Sequence, residues 1–166
     1  SNKIMREISE EKALALLATE CSKAEHCSGE MMQKMEKWGL SADARQRVLC
    51  RLVDDRYVDD RRFATLFVRD KLKFNKWGRR KIAEAMWQKR IPADIQAEAL
   101  AIISDDDYAE VLAPLLKAKA RSVKGSSDYE RSMKLVKYAL GRGFDMQVIR
   151  RCLGEASVQD IDDYDS

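Results

Sequence analysis

No run of about 18 apolar residues occurs anywhere in the chain, so no segment is expected to cross a bilayer as a helix. The first residues carry no apolar stretch behind a basic one, so secretion is not expected either. There is a single histidine, with no nucleophile and base arranged around it, which leaves no catalytic constellation and no expected enzyme activity. A glycine-rich loop ending in Gly-Lys-Ser or Gly-Lys-Thr is absent, so a P-loop nucleotide site is excluded. Seven glycines and two prolines leave little material for long irregular segments. No stretch alternates with period two for long enough to claim a strand. Cys21, Cys27, Cys50 and Cys152 lack zinc-ligand spacing and are expected to be reduced thiols of a cytoplasmic protein. No metal and no cofactor is expected.

What is present favours helix. Ala, Leu, Met, Lys, Arg, Glu and Gln dominate a chain that is 45% hydrophobic and 36% charged. The net charge of +3 conceals a sharp segregation. Residues 61–90 hold eleven Lys/Arg against Asp70 and Glu84, whereas the last twelve residues hold five acids and no basic residue. The middle calls for an anionic partner; the acidic tail from Glu155 onward is expected to be partly disordered and to weaken anion binding.

The chain also repeats itself. "MMQKMEKWGLSADARQRVL" (31–49) aligns with "IAEAMWQKRIPADIQAEAL" (82–100) and "LVKYALGRGFDMQVIRRCL" (135–153). Met35, Met86 and Ala139 superpose, as do Leu40, Ile91 and Phe144. Each block reads as two helices around a tight corner, the second starting at Ser41, Pro92 or Asp145. Upstream of each lies another amphipathic stretch, containing Leu14/Leu17, Phe63/Leu66/Phe67 or Leu112/Leu115/Leu116. The expected fold is all-α: three tandem three-helix repeats in an elongated, curved array. The expected boundaries are an extension over 1–12, repeats over 13–58, 59–105 and 106–155, and the acidic tail over 156–166. Gly39 and Gly143 sit where a helix turns left-handed, but the middle repeat has Arg90 there, at a cost of about 1 kcal/mol if it adopts that conformation.

"YVDDRRFATLFVRDKLKFNKWGRRKIAEAMWQKRI" (57–91) resembles the signature of the RecX family, regulators of the RecA recombinase. Tyr57, Asp59, Asp60, Phe63, Ala64, Gly78, Ile82, Lys89 and Ile91 match that pattern. "RGFDMQVIRRCL" (142–153) resembles the family's third repeat, and "HCSGEMMQKMEKWGL" (26–40) its first. The likeness covers roughly residues 13–155; Arg90 departs from the usual glycine and Met86 from the usual leucine. It implies a non-enzymatic all-α protein that binds the RecA–DNA filament along its groove and modulates it, usually by inhibition, with DNA contact as a further possibility.

The candidate binding residues are Arg61, Arg62, Arg69, Lys71, Lys73, Lys76, Trp77, Arg79, Arg80 and Lys81. The competing reading is a solvated helix face, but the run lacks the i,i+4 acids that would neutralise it. Phe63 and Phe67 are expected in the core. Packing is the favoured reading for Phe74 and Trp77, with stacking on a base or insertion into a partner as the alternative. Asp54, Asp55, Asp59 and Asp60 are read as helix-start acids rather than a metal cluster, and Cys21, His26 and Cys27 as ordinary side chains. Cys152 aligns with Val48 and Ala99 and reads as a core position. The partners expected are the RecA nucleoprotein filament and single- or double-stranded DNA, with no membrane. No coiled-coil heptads point to an oligomer, so a monomer is expected. A second class of function, a stand-alone DNA-binding protein of helix-turn-helix-like modules, also fits. The starts of the three second helices, "SADARQR", "PADIQAE" and "DMQVIRR", disfavour it, because two of the three are neutral or acidic.

Overall fold

Ser9, Ser41, Ser104 and Ser127 each precede an amphipathic run. Each hydroxyl accepts a first-turn backbone N–H, from Lys12, Ala44, Asp107 and Glu130 respectively, at 3.1–3.2 Å. These bonds satisfy donors that a helix start otherwise leaves unpaired. The computed structural model describes residues 8–154, which hold nine helices and no strand. The helices are α1 (Glu10–Lys23), α2 (Ser28–Lys37), α3 (Ala42–Asp54), α4 (Asp60–Lys73), α5 (Arg79–Gln88), α6 (Ala93–Leu100), α7 (Asp105–Ala120), α8 (Asp128–Gly141) and α9 (Met146–Leu153). The acidic tail from Glu155 lies outside the described residues, as does most of the expected N-terminal extension.

The described chain falls into two compact units: residues 8–66 with Met86–Gln96, and Phe67–Ala85 with residues 97–154. The helices of the middle repeat, α4, α5 and α6, are thus shared out between the two. In the first unit α3 packs on both α1 and α2. Leu17, Met31, Met35, Val48 and Leu52 form the centre of its core, all at most 3% exposed. In the second unit α7 packs on both α8 and α9. There Tyr108 and Phe144, both buried, meet edge to face with ring centroids 6.4 Å apart. Phe63 and Phe67 are buried, as their four-residue spacing requires, whereas Leu66 beside them is 43% exposed. Cys152 is half-buried, although Val48 and Ala99 at its aligned positions are buried.

The three corners are built alike. The N–H of Leu40 donates to the carbonyl of Met35 at 3.2 Å, that of Ile91 to Met86 at 3.2 Å, and that of Phe144 to Ala139 at 3.1 Å. The residue just before each of these donors is left-handed: Gly39 has φ 80°, Arg90 60° and Gly143 92°. The corner needs a positive φ to bring the donor back onto the helix end, and Arg90 accepts the strain that its glycine counterparts avoid. Its guanidinium meets the Glu36 carboxylate at 2.9 Å, a contact glycine could not make. Arg90→Gly is therefore expected to raise stability by less than about 1 kcal/mol, the backbone gain being partly offset by the lost pair. In a Glu36→Ala background the same substitution should show the larger gain in urea unfolding. Destabilisation in that background would contradict the left-handed assignment.

The start of α2 and the start of α5 each receive a corner. In the first unit the Cys27 thiol points at the Lys89 carbonyl at 3.6 Å, and the Ser28 N–H donates to Asp60 Oδ1 at 2.7 Å. In the second unit the Gly78 N–H donates to the Arg142 carbonyl at 2.8 Å and the Arg80 N–H to the Gly143 carbonyl at 3.0 Å. In the second unit, backbone donors at the helix start thus meet carbonyls from another helix end, and the two dipole ends attract; in the first, the Asp60 carboxylate takes the helix-start N–H and the Cys27 side chain meets the corner carbonyl. Asp59 and Asp60 do serve helix starts, Asp59 through the Arg62 N–H at 3.0 Å. Asp54 and Asp55 instead end α3, where a carboxylate gains nothing from the dipole, so the reading of all four as helix-start acids is corrected.

Candidate functional site

The basic run leaves the end of α4 and enters α5 through residues 74–78. This short connection is well tied down. The Phe74 N–H donates to the Asp70 carbonyl at 2.8 Å and the Trp77 N–H to the Lys71 carbonyl at 3.1 Å. Lys76 is left-handed at φ 57°. The Arg142 guanidinium, from the end of α8, donates to the Asn75 carbonyl at 2.5 Å and to the Lys76 carbonyl at 3.1 Å. The Asn75 and Lys76 carbonyls are thereby paired, while Phe74, Asn75 and Lys76 stand exposed.

Two lysine side chains converge on Trp77, which is half-buried. Lys71 Nζ lies 5.1 Å from the ring centroid and Lys81 Nζ 5.0 Å, both within cation–π range. Lys71 also lies over Phe67 at 5.4 Å. Phe74 is 69% exposed and carries Lys73 over its ring at 5.3 Å. The packing reading therefore fails for Phe74 and holds only in part for Trp77. An exposed aromatic ring costs solvation unless a partner covers it, and lysines held over aromatic faces present a cationic surface with π-faces beneath it.

The remaining candidates divide. Arg79 is only half-exposed and has structural work. It donates to Asp145 Oδ2 at 2.7 Å and to Asp105 Oδ1 at 2.9 Å, and its guanidinium sits 4.8 Å from the Tyr108 ring centroid. Burial acts against its charge, but the two carboxylates more than compensate and raise its pKa. Burial also pushes the Tyr108 phenol up to about 12, although the Arg79 charge pulls the other way. Arg80 and Lys81 are exposed on the first turn of α5, and Arg69 and Lys76 are exposed as well. Arg61 and Arg62 belong to the first unit. Arg62 donates to Glu25 at 2.8 Å and to the carbonyls of Arg56 and Tyr57, and Arg61 reaches Asp94 at 3.9 Å. Cys27 is an inert thiol, its pKa pushed up to about 12 by burial.

Two features escaped the sequence reading. The first is a further basic region in the third repeat: residues 117–151 contain ten Lys/Arg against Asp128, Glu130 and Asp145. Within it Lys119 lies 5.2 Å and Arg142 5.9 Å from the Tyr138 ring centroid. The signal is in the charge count, though more diffuse than the run of eleven over residues 61–90. The second feature concerns the helices after the corners. Arg45 donates to the Leu40 carbonyl at 2.7 Å, and Gln96, its counterpart in the middle repeat, donates to the Ile91 carbonyl at 2.7 Å. Their third counterpart is the buried Ile149.

Among the described residues no helix is long and apolar enough to cross a membrane. Residues 59–100 match the second three-helix domain of RecX, and residues 105–153 match its third three-helix domain. The regulatory protein RecX of Prosthecochloris aestuarii is 35% identical over 131 residues, which cover 79% of this chain and 84% of that one. The regulatory protein RecX of Lactobacillus johnsonii is 28% identical over 160 residues, 96% of this chain but only 57% of that one, so this chain spans little more than half of that relative. The crystal structure of RecX from Lactobacillus salivarius superposes with a TM-score of 0.80 at 20% identity, covering 92% of this chain and 96% of that one, and shares the fold. The second and third three-helix domains account for more than half of the chain, and the identity to the Prosthecochloris protein runs through most of both sequences, so the chain belongs to the RecX family.

Proposed function

We propose that this chain is a non-catalytic cytoplasmic regulator of a RecA recombinase. It binds the RecA–DNA filament along its groove and lowers recombinase activity by blocking strand exchange or ATP turnover. The observation that carries the reading is the Trp77 ring with both Lys71 and Lys81 in cation–π range, in the loop that also carries the exposed ring of Phe74. Such a surface attracts phosphates over a distance of about 10 Å at 0.1 M salt and offers rings to a base or to a pocket on a protein partner. A surface made for both phosphates and apolar contact suits a nucleoprotein better than bare duplex. The family membership supports the recombinase as the protein part.

A stand-alone reader of duplex sequence fits less well. In a helix-turn-helix module the polar residues near the start of the second helix reach for base edges. Here Arg45 and Gln96 are bonded to the carbonyls of their own corners, and the third counterpart is apolar. The discriminating experiment is co-sedimentation at near-physiological salt, with RecA filaments on single-stranded DNA against the same DNA alone, together with a titration of filament ATPase. The chain is expected to pellet with filaments in preference to naked DNA and to reduce ATP turnover. Equal binding to both, with ATPase unchanged, would refute the regulator reading.

A further inference from the structure

The third repeat holds a second arrangement like the one around Trp77. Tyr138, on α8 and half-buried, has Lys119 Nζ from the end of α7 at 5.2 Å from its ring centroid and the Arg142 guanidinium at 5.9 Å. Trp77 has Lys71 Nζ from α4 at 5.1 Å and Lys81 Nζ from α5 at 5.0 Å. In each case two cations from neighbouring helices meet on one aromatic ring, and both clusters belong to the second compact unit. These cations are not taken up by acids. Among the described residues, none of Lys71, Lys81, Lys119 and Arg142 forms an ion pair with a carboxylate, whereas Arg79, Arg131 and Arg151 of the same unit each do. Like charges gathered on one ring repel each other, and a bound anion relieves that repulsion.

Arg142 ties the two clusters together. The guanidinium that sits over Tyr138 also donates to the carbonyls of Asn75 and Lys76, and Lys76 immediately precedes Trp77. Those contacts and ordinary covalent dimensions place the two rings within about 20 Å of each other. One flexible strand can cover that distance, with an unpaired base stacked on each ring and its phosphates against the cations. Aromatic platforms in a basic groove bind single strands in this manner, over about 4–16 nucleotides per binding fold. A duplex offers phosphates but keeps its base faces stacked on one another, so it leaves both rings without a partner.

We infer that Tyr138 is a second base-stacking site, and that a single nucleic-acid strand runs from Trp77 to Tyr138 with its phosphates held by Lys71, Lys81, Lys119 and Arg142. This rests on the reading of the Trp77 loop as the chain's anion-binding surface. It extends that surface into the third repeat and makes a single strand the part of the nucleoprotein that the second unit grips.

The test uses the full chain and its Trp77→Leu, Tyr138→Leu, Tyr138→Phe and Lys119→Gln variants, each checked by thermal melting. Arg142 is left in place because it also holds the loop. Binding of a 20-nucleotide single-stranded oligonucleotide, and of the duplex of the same length, is followed by anisotropy from 50 to 300 mM salt. Trp77→Leu and Tyr138→Leu are each expected to weaken the single strand by about 5- to 100-fold, the range of one lost stacking contact, and to change the duplex little. Tyr138→Phe, which keeps the ring, should bind as wild type does. Lys119→Gln should make the single-strand salt slope shallower by about 0.7, one phosphate contact fewer. A Tyr138→Leu chain that melts normally and keeps full affinity for the single strand would overturn the inference. So would an unchanged slope in Lys119→Gln, which is exposed and decides the matter should Tyr138→Leu fail to fold. If only Trp77→Leu loses the strand, the extension into the third repeat falls while the Trp77 surface stands. If neither ring variant loses it, the nucleic-acid reading of the surface falls with it. A Tyr138→Leu chain that loses recombinase filaments but keeps the oligonucleotide would give Tyr138 a protein partner and overturn the inference.

Discussion

Replacing Lys71, Lys73, Lys76, Arg80 and Lys81 with glutamate is expected to abolish binding to recombinase filaments while the chain stays folded. Lys73, Lys76, Arg80 and Lys81 are exposed and none of the five is a core residue; Lys71 and Lys81 contribute only their ammonium groups to the Trp77 faces. Arg79 has to be left intact. It ties the start of α5 to Asp105 and Asp145, and its removal would leave two carboxylates unpaired beside the buried Tyr108. If the wild-type surface neutralises about four phosphates, the logarithm of affinity for duplex DNA should fall with the logarithm of salt at a slope near −3.6. The reversed surface should show no measurable DNA binding at 100 mM salt and no effect on filament ATPase, with a circular dichroism melt close to wild type. A variant that melts normally and still lowers ATPase would make the run an ordinary solvated face. One that loses naked DNA but keeps the filament would place recognition on protein, and Phe74→Ala and Trp77→Ala would then separate the two rings.

Much of this arrangement was legible in the sequence because the corner chemistry is local. The superposed Met35, Met86 and Ala139 are the carbonyls, and Leu40, Ile91 and Phe144 the N–H donors, of the same six-to-one bond. A left-handed residue is required between them, so the alignment forces Arg90 into the conformation of Gly39 and Gly143. The tie between loop and α8 was not legible. Arg142 stands 66 residues from Lys76 in the chain, and no pattern within either repeat marks that pairing. Arg79 is not a simple surface charge for the same reason: its partners Asp105 and Asp145 stand 26 and 66 residues away, so a local charge count reads it as free. The exposure of Phe74 is not legible either, because in sequence an aromatic between basic residues looks the same whether it packs inward or stands in solvent.

Gly78→Ala is expected to be among the most destabilising single substitutions in the second unit, and Gly29→Ala in the first. A Cβ at Gly78 would stand 2.3 Å from the Phe144 nitrogen and 2.5 Å from the Gly143 oxygen; one at Gly29 would stand 1.9 Å from the Lys89 oxygen. All of these are backbone atoms of a corner, which cannot swing aside as a side-chain end can. In the second unit the corner is also held by the Gly78 and Arg80 N–H groups, so making room breaks hydrogen bonds as well as packing. Overpacking of this kind costs about 3 kcal/mol, the upper end of what an added methyl group usually inflicts. Gly141→Ala is the control, because its Cβ meets nothing within 4 Å and alanine favours the helix by up to about 1 kcal/mol. Urea unfolding should place the first two variants well below wild type and the third at or above it. The functional consequence should separate the two joints. At a temperature where both variants remain folded, Gly78→Ala should weaken oligonucleotide binding, because it shifts the residue next to Trp77 and the corner that presents Arg142. Gly29→Ala, which disturbs only the corner ending in Lys89 and Arg90, should leave the Trp77 surface and its affinity intact. Equal losses of affinity in both would mean that the joint at Gly78 supports the fold without setting the geometry of the binding surface.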